Sequence, residues 1–258
     1  MNRAAALLIA ASIAATPFAA TAEADRPGPA EITGRIVLLG EPPASLAIDP
    51  GPDACCQAAG PIDERLVVGP DGGLANVVVS IETRRGEARP PVIASGVDEA
   101  ITLTNLGCAF RPRVAVVRIG GELRLANDDP TMHNVAIDFV RNPAVNVVVE
   151  PGGERRLTLA APERRPVPVR CNVHPFMAAW VVVRSDEYAA ITGADGRFAL
   201  PSPPEGEWRL RLWHEGAALS GVEIGDALTD RRGEAAVRVL GNGGLDLGNL
   251  SVTADRFR

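Results

Sequence analysis

Apolar and polar positions alternate along most of the chain. In ITGRIVLLG, Ile32, Gly34, Ile36 and Leu38 fall on one face, the period of two expected of a half-buried strand. LANVVVSIE repeats the pattern with Val77, Val79 and Ile81. From about residue 98 the runs follow quickly: ITLTNL, RVAVVRIG, ELRLAN, HNVAIDFV, VNVVVE, RRLTLAA, VPVRC and WVVVRS, each bounded by Gly, Pro or Asn-Asp. Short strands at this spacing predict an all-β protein of the sandwich type. Val167, Val169 and Cys171 share one parity, so Cys171 is expected to point inward with the valines. Further on, Asp195-Gly196 predicts a hairpin turn, EWRLRLWHE places Trp208, Leu210 and Leu212 on one face, and EAAVRVL and LDLGNLSV close the chain. Residues 41–64 and 83–91 are rich in turn formers and read as loops, and no segment is strongly periodic as a helix.

Composition narrows the chemistry. The 258 residues allow one large or two modest domains. All 26 basic residues are arginine, which excludes Schiff-base lysine chemistry and a P-loop lysine. The net charge of −6 gives no basic stripe of the kind nucleic acid requires, so no nucleic-acid partner is expected. Residues 1–22 read as a signal peptide: Arg3, a short alanine-rich apolar stretch, and Ala20-Thr21-Ala22 as a cleavage site near Ala22. No other segment is long and apolar enough to span a membrane. The expected location is the periplasm or another exported space, where disulfides persist.

The chain has only three histidines, three methionines and four cysteines, yet CNVHPFM gathers Cys171, His174 and Met177 within seven positions. Thiolate, imidazole and thioether together select copper, and an electron-transfer copper site takes two His, one Cys and a weak axial Met. His133 in NDDPTMHNV, at the start of a strand, is the expected second imidazole. The assigned ligands are His133, Cys171, His174 and Met177, with Asn134 bracing the cysteine loop. His214, in RLWHE, reads as a core or hairpin-edge residue, with a second metal contact as its lesser reading. Trp180 is expected to pack under the ligand loop. A thiol enzyme using Cys171 and His174 lacks an orienting third group and leaves Met177 unexplained. Three histidines are too few for a multicopper oxidase or copper nitrite reductase, and methionine adds little to a zinc site.

Cys171-Asn-Val-His174-Pro175-Phe176-Met177, the valines after it, and His133-Asn134-Val135 resemble the ligand motifs of the cupredoxins, the amicyanin type above all. The resemblance covers about residues 98–184. It implies an eight-stranded Greek-key sandwich, one type 1 copper ion, one-electron transfer rather than enzymatic turnover, and partners such as a quinoprotein dehydrogenase and a c-type cytochrome. Exported cupredoxin-like proteins of methylamine utilisation are similar too, including the LWHE phrase. His174 is expected to present its ring edge at the surface, within an apolar docking patch of Pro175, Phe176 and Ala178. There it would protonate and leave copper at mildly acid pH in the reduced state. The competing functions are a copper carrier or store, and an interaction module with a vestigial site.

The flanks, residues 31–97 and 185–258, resemble the two halves of a carboxypeptidase regulatory-like domain. This implies a transthyretin-like or Ig-like sandwich into which the cupredoxin segment is inserted or to which it is joined. Insertion at a hairpin tip is the tolerated place. In an exported chain Cys108 is expected to pair with Cys55 or Cys56, leaving one cysteine over.

Overall fold

The computed structural model describes residues 30–92, 100–241 and 244–258. The expected signal peptide lies outside them, as does the junction at 93–99. The strands in chain order begin with β1 (Glu31–Leu39) and β2 (Val78–Glu82). Then follow β3 (Ile101–Asn105), β4 (Phe110–Arg111), β5 (Val114–Arg118), β6 (Glu122–Asn127), β7 (His133–Ile137), β8 (Val145–Val149), β9 (Glu154–Thr158), β10 (Val167–Arg170) and β11 (Ala178–Arg184). The last are β12 (Ala189–Ile191), β13 (Arg197–Pro201), β14 (Gly206–Trp213), β15 (Glu223–Ile224), β16 (Ala227–Leu228), β17 (Glu234–Val239) and β18 (Leu245–Thr253).

These strands form an all-β structure of two sandwiches. One stacks the sheet β5-β11-β10-β7-β8 on the sheet β4-β3-β6-β9. Its core is built by the period-two faces of the strands: Leu123 and Leu125 from β6, Val135 and Ile137 from β7, Val169 from β10, and Ala179, Val181 and Val183 from β11. The other combines the sheets β13-β1-β18 and β12-β2-β14-β17 around Ile32, Ile36, Val79, Ile81, Leu210 and Leu212. The segments before and after β3–β11 therefore share sheets. β2 pairs antiparallel with β14, Ile81 opposite Leu210, and with β12, Ser80 opposite Ala189. Arg184 fastens the return point, donating to the Ile81 carbonyl at 2.7 Å and pairing with Glu82 and Asp186.

Three local features depart from expectation. Asp195-Gly196 makes the expected tight turn, closed by Gly196 N–H to the Gly193 carbonyl and Gly193 N–H to the Arg197 carbonyl at 2.9 and 3.3 Å, but the strands it joins, β12 and β13, belong to different sheets. Gly196 has φ of +76°, and a Cβ there would lie 2.1 Å from the Ile36 carbonyl oxygen. Its small size lets the turn lie flat on β1. The loop at 41–64 contains a short helix, α1 (Ala54–Ala59), whose N-cap Asp53 accepts from the Cys55 and Cys56 amides. Six residues are too few to show a helical period. Trp180 does not pack under the ligand loop. Its parity in β11 is opposite to that of Ala179 and Val181, and its ring meets Trp213 edge-on, centroids 5.0 Å apart, in a small cluster between the sandwiches.

Candidate metal centre

Strand register brings the expected ligands together. β10 lies antiparallel to β7, with Val169 opposite Ile137 and Arg170 opposite Ala136, and this register runs Cys171 alongside the start of β7. β10 and β11 are paired up to Arg170 and Ala178, so residues 171–177 form the tip between them. The tip is closed by Cys171 N–H to the Met177 carbonyl and Met177 N–H to the His174 carbonyl, at 3.4 and 2.9 Å. Ligand atoms of His133, Cys171 and His174 lie within 4.8 Å of one another, and all three residues are buried. Met177 is buried in the same core cluster.

The donor geometry fits a small ion. The two imidazole Nδ1 atoms are 3.1 Å apart, and the Cys171 sulfur is 3.8 Å from His174 Nδ1. Two nitrogens each about 2 Å from one ion stand roughly 3 Å apart, and a longer metal–sulfur bond stretches the mixed edge. Two more donors point at the sulfur: the amides of Asn134 and His174, each at 3.4 Å. Asn134 braces the loop through its side chain as well. Its Oδ1 accepts from the Asn172 amide at 3.2 Å, and its Nδ2 donates to Asn146 Oδ1 and the Val147 carbonyl.

Carboxylates hold the far side of both rings. His133 Nε2 lies 2.9 Å from Asp129 Oδ2, and His174 Nε2 lies 3.4 Å from Asp53 Oδ2. A carboxylate accepts, so each Nε2 carries hydrogen and each Nδ1 turns a lone pair inward. Two lone pairs facing each other at 3.1 Å in a dry pocket repel unless a cation or proton sits between them. Burial pushes His133 below its ordinary pKa, with Asp129 opposing, which favours the neutral, ligating ring. The Thr131 hydroxyl and the α1 amides hold the Asp53 carboxyl below its usual range. These residues fit a copper ion of the soft-ligand kind.

Asp53 and Asp129, which stand behind the two candidate imidazole ligands, were passed over by the sequence reading. Asp129 left a signal, standing four positions before His133 in the same phrase. Asp53 left none, since it arrives from a loop 121 positions from His174. That loop also corrects the expectation of an exposed ring edge: His174 is only 4% exposed. Residues 49–53 face Val173, His174, Pro175 and Phe176 across a shallow recess. The premise of an exposed, acid-released imidazole is thereby removed. The covering loop is held by a disulfide between Cys56 and Cys108, which settles the pairing and leaves Cys55 as the free, half-buried thiol. Two further His, Cys and carboxylate groupings, around His174 with Cys56 and around His133 with Cys108, offer no thiolate because this bridge consumes both sulfurs.

His214 lies apart from the centre. It is buried against Phe257, its Nδ1 accepting from the Gly216 amide at 3.0 Å, and no metal grouping among the described residues includes it.

No protein-family model and no curated protein matches the chain. Among solved structures, it is similar to a copper-containing nitrite reductase from Thermus scotoductus SA-01, with 20% identity and a TM-score of 0.30 over 37% of this chain and 25% of that one. The chain thus spans about a quarter of that enzyme's length. A purple cupredoxin from Nitrosopumilus maritimus aligns at 16% identity and a TM-score of 0.28, over 33% of this chain and 99% of that one. A reduced Cu(I) form of an amicyanin mutant aligns at 21% identity and a TM-score of 0.30, over 41% and 98%.

Proposed function

We propose that this protein holds one copper ion on His133, Cys171, His174 and Met177 and carries single electrons between exported redox proteins, without catalysing turnover of a substrate. The observation that supports it most is the convergence of two inward-facing Nδ1 atoms and one amide-bonded sulfur in a buried pocket. Bound there, copper would supply a one-electron couple. The chain's own contribution is rigidity. Carboxylates fix both imidazoles from behind, Asn134 ties the ligand loop to β7 and β8, and the valines of β10 and β11 keep water out. A pocket so fixed changes little between oxidation states. The same closure disfavours the carrier and storage reading, which wants an open site that releases metal readily.

The flanking sandwich is proposed as the carboxypeptidase regulatory-like, transthyretin-like domain, spanning residues 31–97 and 185–258, with the copper domain at 98–184 inserted between its halves. Pairing of β2 with β14 supports this division.

Addition of Cu(II) to the purified metal-free protein tests the function. An intense blue or purple colour with narrow copper hyperfine splitting is expected, and Cys171→Ser is expected to abolish the colour. A pale, ordinary copper spectrum would favour the carrier, and absence of uptake would leave an interaction module.

A further inference from the structure

Between the two sandwiches lies a cleft of about 1610 Å³, larger than the usual small-ligand pocket. Trp180 and Trp213 lie in it edge to face, and Trp180 Nε1 donates to Glu215 Oε2 at 2.9 Å, which fixes the indole. Nine arginines and four glutamates line the cleft, so its charge is set by which of them are already paired. All four glutamates are: Glu82 with Arg184, Glu87 with Arg209, Glu215 with Arg113 and Glu234 with Arg84. Arg85, Arg89, Arg164, Arg165, Arg231 and Arg232 are exposed on its walls, with no salt bridge among the described residues. Beside them, Arg211 keeps a buried Nε with no hydrogen-bond partner among the described residues. A strongly positive, aromatic-floored cleft therefore sits on a chain whose net charge is −6.

We infer that this cleft docks an acidic segment of a partner protein. Guanidinium groups offer planar paired donors that match carboxylates, and Arg and Trp are the residue types that carry interface energy. The acidic balance of the whole chain repels such a partner elsewhere and steers it to this one face. Residues 49–53 cover the His174 ring edge expected at the ligand-loop face, while Pro175 there stays exposed and Phe176 and Ala178 half-buried. The cleft lies against the same strand that leaves the centre, since Trp180 is the third residue of β11 and Met177 immediately precedes that strand. That the partner is a redox protein rests on the proposed copper function; the binding of an acidic segment does not.

The test is fluorescence anisotropy of a labelled decaglutamate peptide with the full mature chain at low salt. Saturable binding is expected, weakened steeply by added salt. Arg164→Glu with Arg165→Glu is expected to reduce affinity about tenfold or more at an unchanged unfolding midpoint. Arg231→Glu with Arg232→Glu, on the opposite wall, gives an independent second variant should the first fail to fold. Absence of peptide binding, or binding indifferent to both reversals, overturns the inference. Tighter binding of polyphosphate or a single-stranded DNA oligomer than of the peptide overturns it too, in favour of a phosphate-backbone ligand. The copper spectrum is read in parallel. A blue protein that does not bind the peptide refutes only the cleft, and a peptide-binding protein that takes up no copper refutes only the electron-transfer reading.

Discussion

Removing the Cys56–Cys108 bridge by alanine substitution at both positions loosens the backing of the metal centre from two sides. The bridge closes a loop of 52 residues in sequence separation, and the chain-entropy relation makes its loss worth about 4 kcal/mol of unfolding free energy. Its position concentrates the effect on the site. On one side, the Cys55 and Cys56 amides bond Asp53, whose other oxygen accepts from Thr131 and backs His174. On the other side, the Cys108 amide donates to Asp129 Oδ2 at 2.9 Å, the same oxygen that holds His133. Denaturant unfolding of the metal-free protein, followed by tryptophan emission, is expected to show a loss of about 4 kcal/mol. Transfer of copper to a competing chelator is expected to quicken as the covering loop lifts from His174. A variant whose stability stays within about 1 kcal/mol of the parent, with unchanged copper release, would refute the reasoning that this bridge fastens both imidazoles.

Two other perturbations separate the site from the scaffold. Asp129→Ala strips acceptors from the Gly107 and Cys108 amides and from His133 Nε2, and is expected to weaken copper binding about 10- to 100-fold in a chelator competition. Because it leaves buried donors unpaired, it should also cost roughly 2–4 kcal/mol in denaturant unfolding. His214 bears on pH: burial lowers its pKa from 6.5 to about 4, against the opposing charge of Glu215. Between those values the unfolded chain binds a proton that the folded chain refuses, so stability falls as pH drops from about 6.5 to about 4 and levels below. The difference amounts to about 3 kcal/mol. It should appear in unfolding measured at pH 7.5 and 4.5, and be absent from the corresponding comparison for His214→Gln.

The strands were legible because each buries one face, and period-two alternation is a local property. Ile32 and Ile36, Val79 and Ile81, and Leu210 and Leu212 all enter the core on the expected parity. The gathering of His133 with Cys171 and His174 was legible for a related reason: soft-ligand residues are scarce in this chain and stand at a strand start and a strand end. Features that depend on pairing between distant segments left weaker traces. Parity along β11 shows that Trp180 opposes Val181, but only the meeting of β11 with Trp213 shows what covers that outer face. The choice of Cys56 over Cys55 depends on α1, since in a helix adjacent residues point about 100° apart and only one sulfur can face Cys108.

The covering loop carries the largest consequence. A motif reading treats CNVHPFM as self-contained and leaves His174 at the surface, because nothing in those seven residues records what lies over them. Three separate attachments bring the cover in: the disulfide, the Thr131–Asp53 hydrogen bond, and Asp53 beside His174 Nε2. Each joins residues more than forty positions apart. With the His174 ring edge covered, a second approach becomes relevant for the proposed redox partner. The opposite parity of β11 supplies one, since the strand that buries Ala179 and Val181 beside the metal site presents Trp180 to the arginine-lined cleft. A single strand thus serves both faces. Substitution of Trp180 therefore bears on the proposed docking face and on the join between the sandwiches together, whereas charge reversal at Arg164 and Arg165 leaves the Trp180–Trp213 contact in place and reports on docking alone.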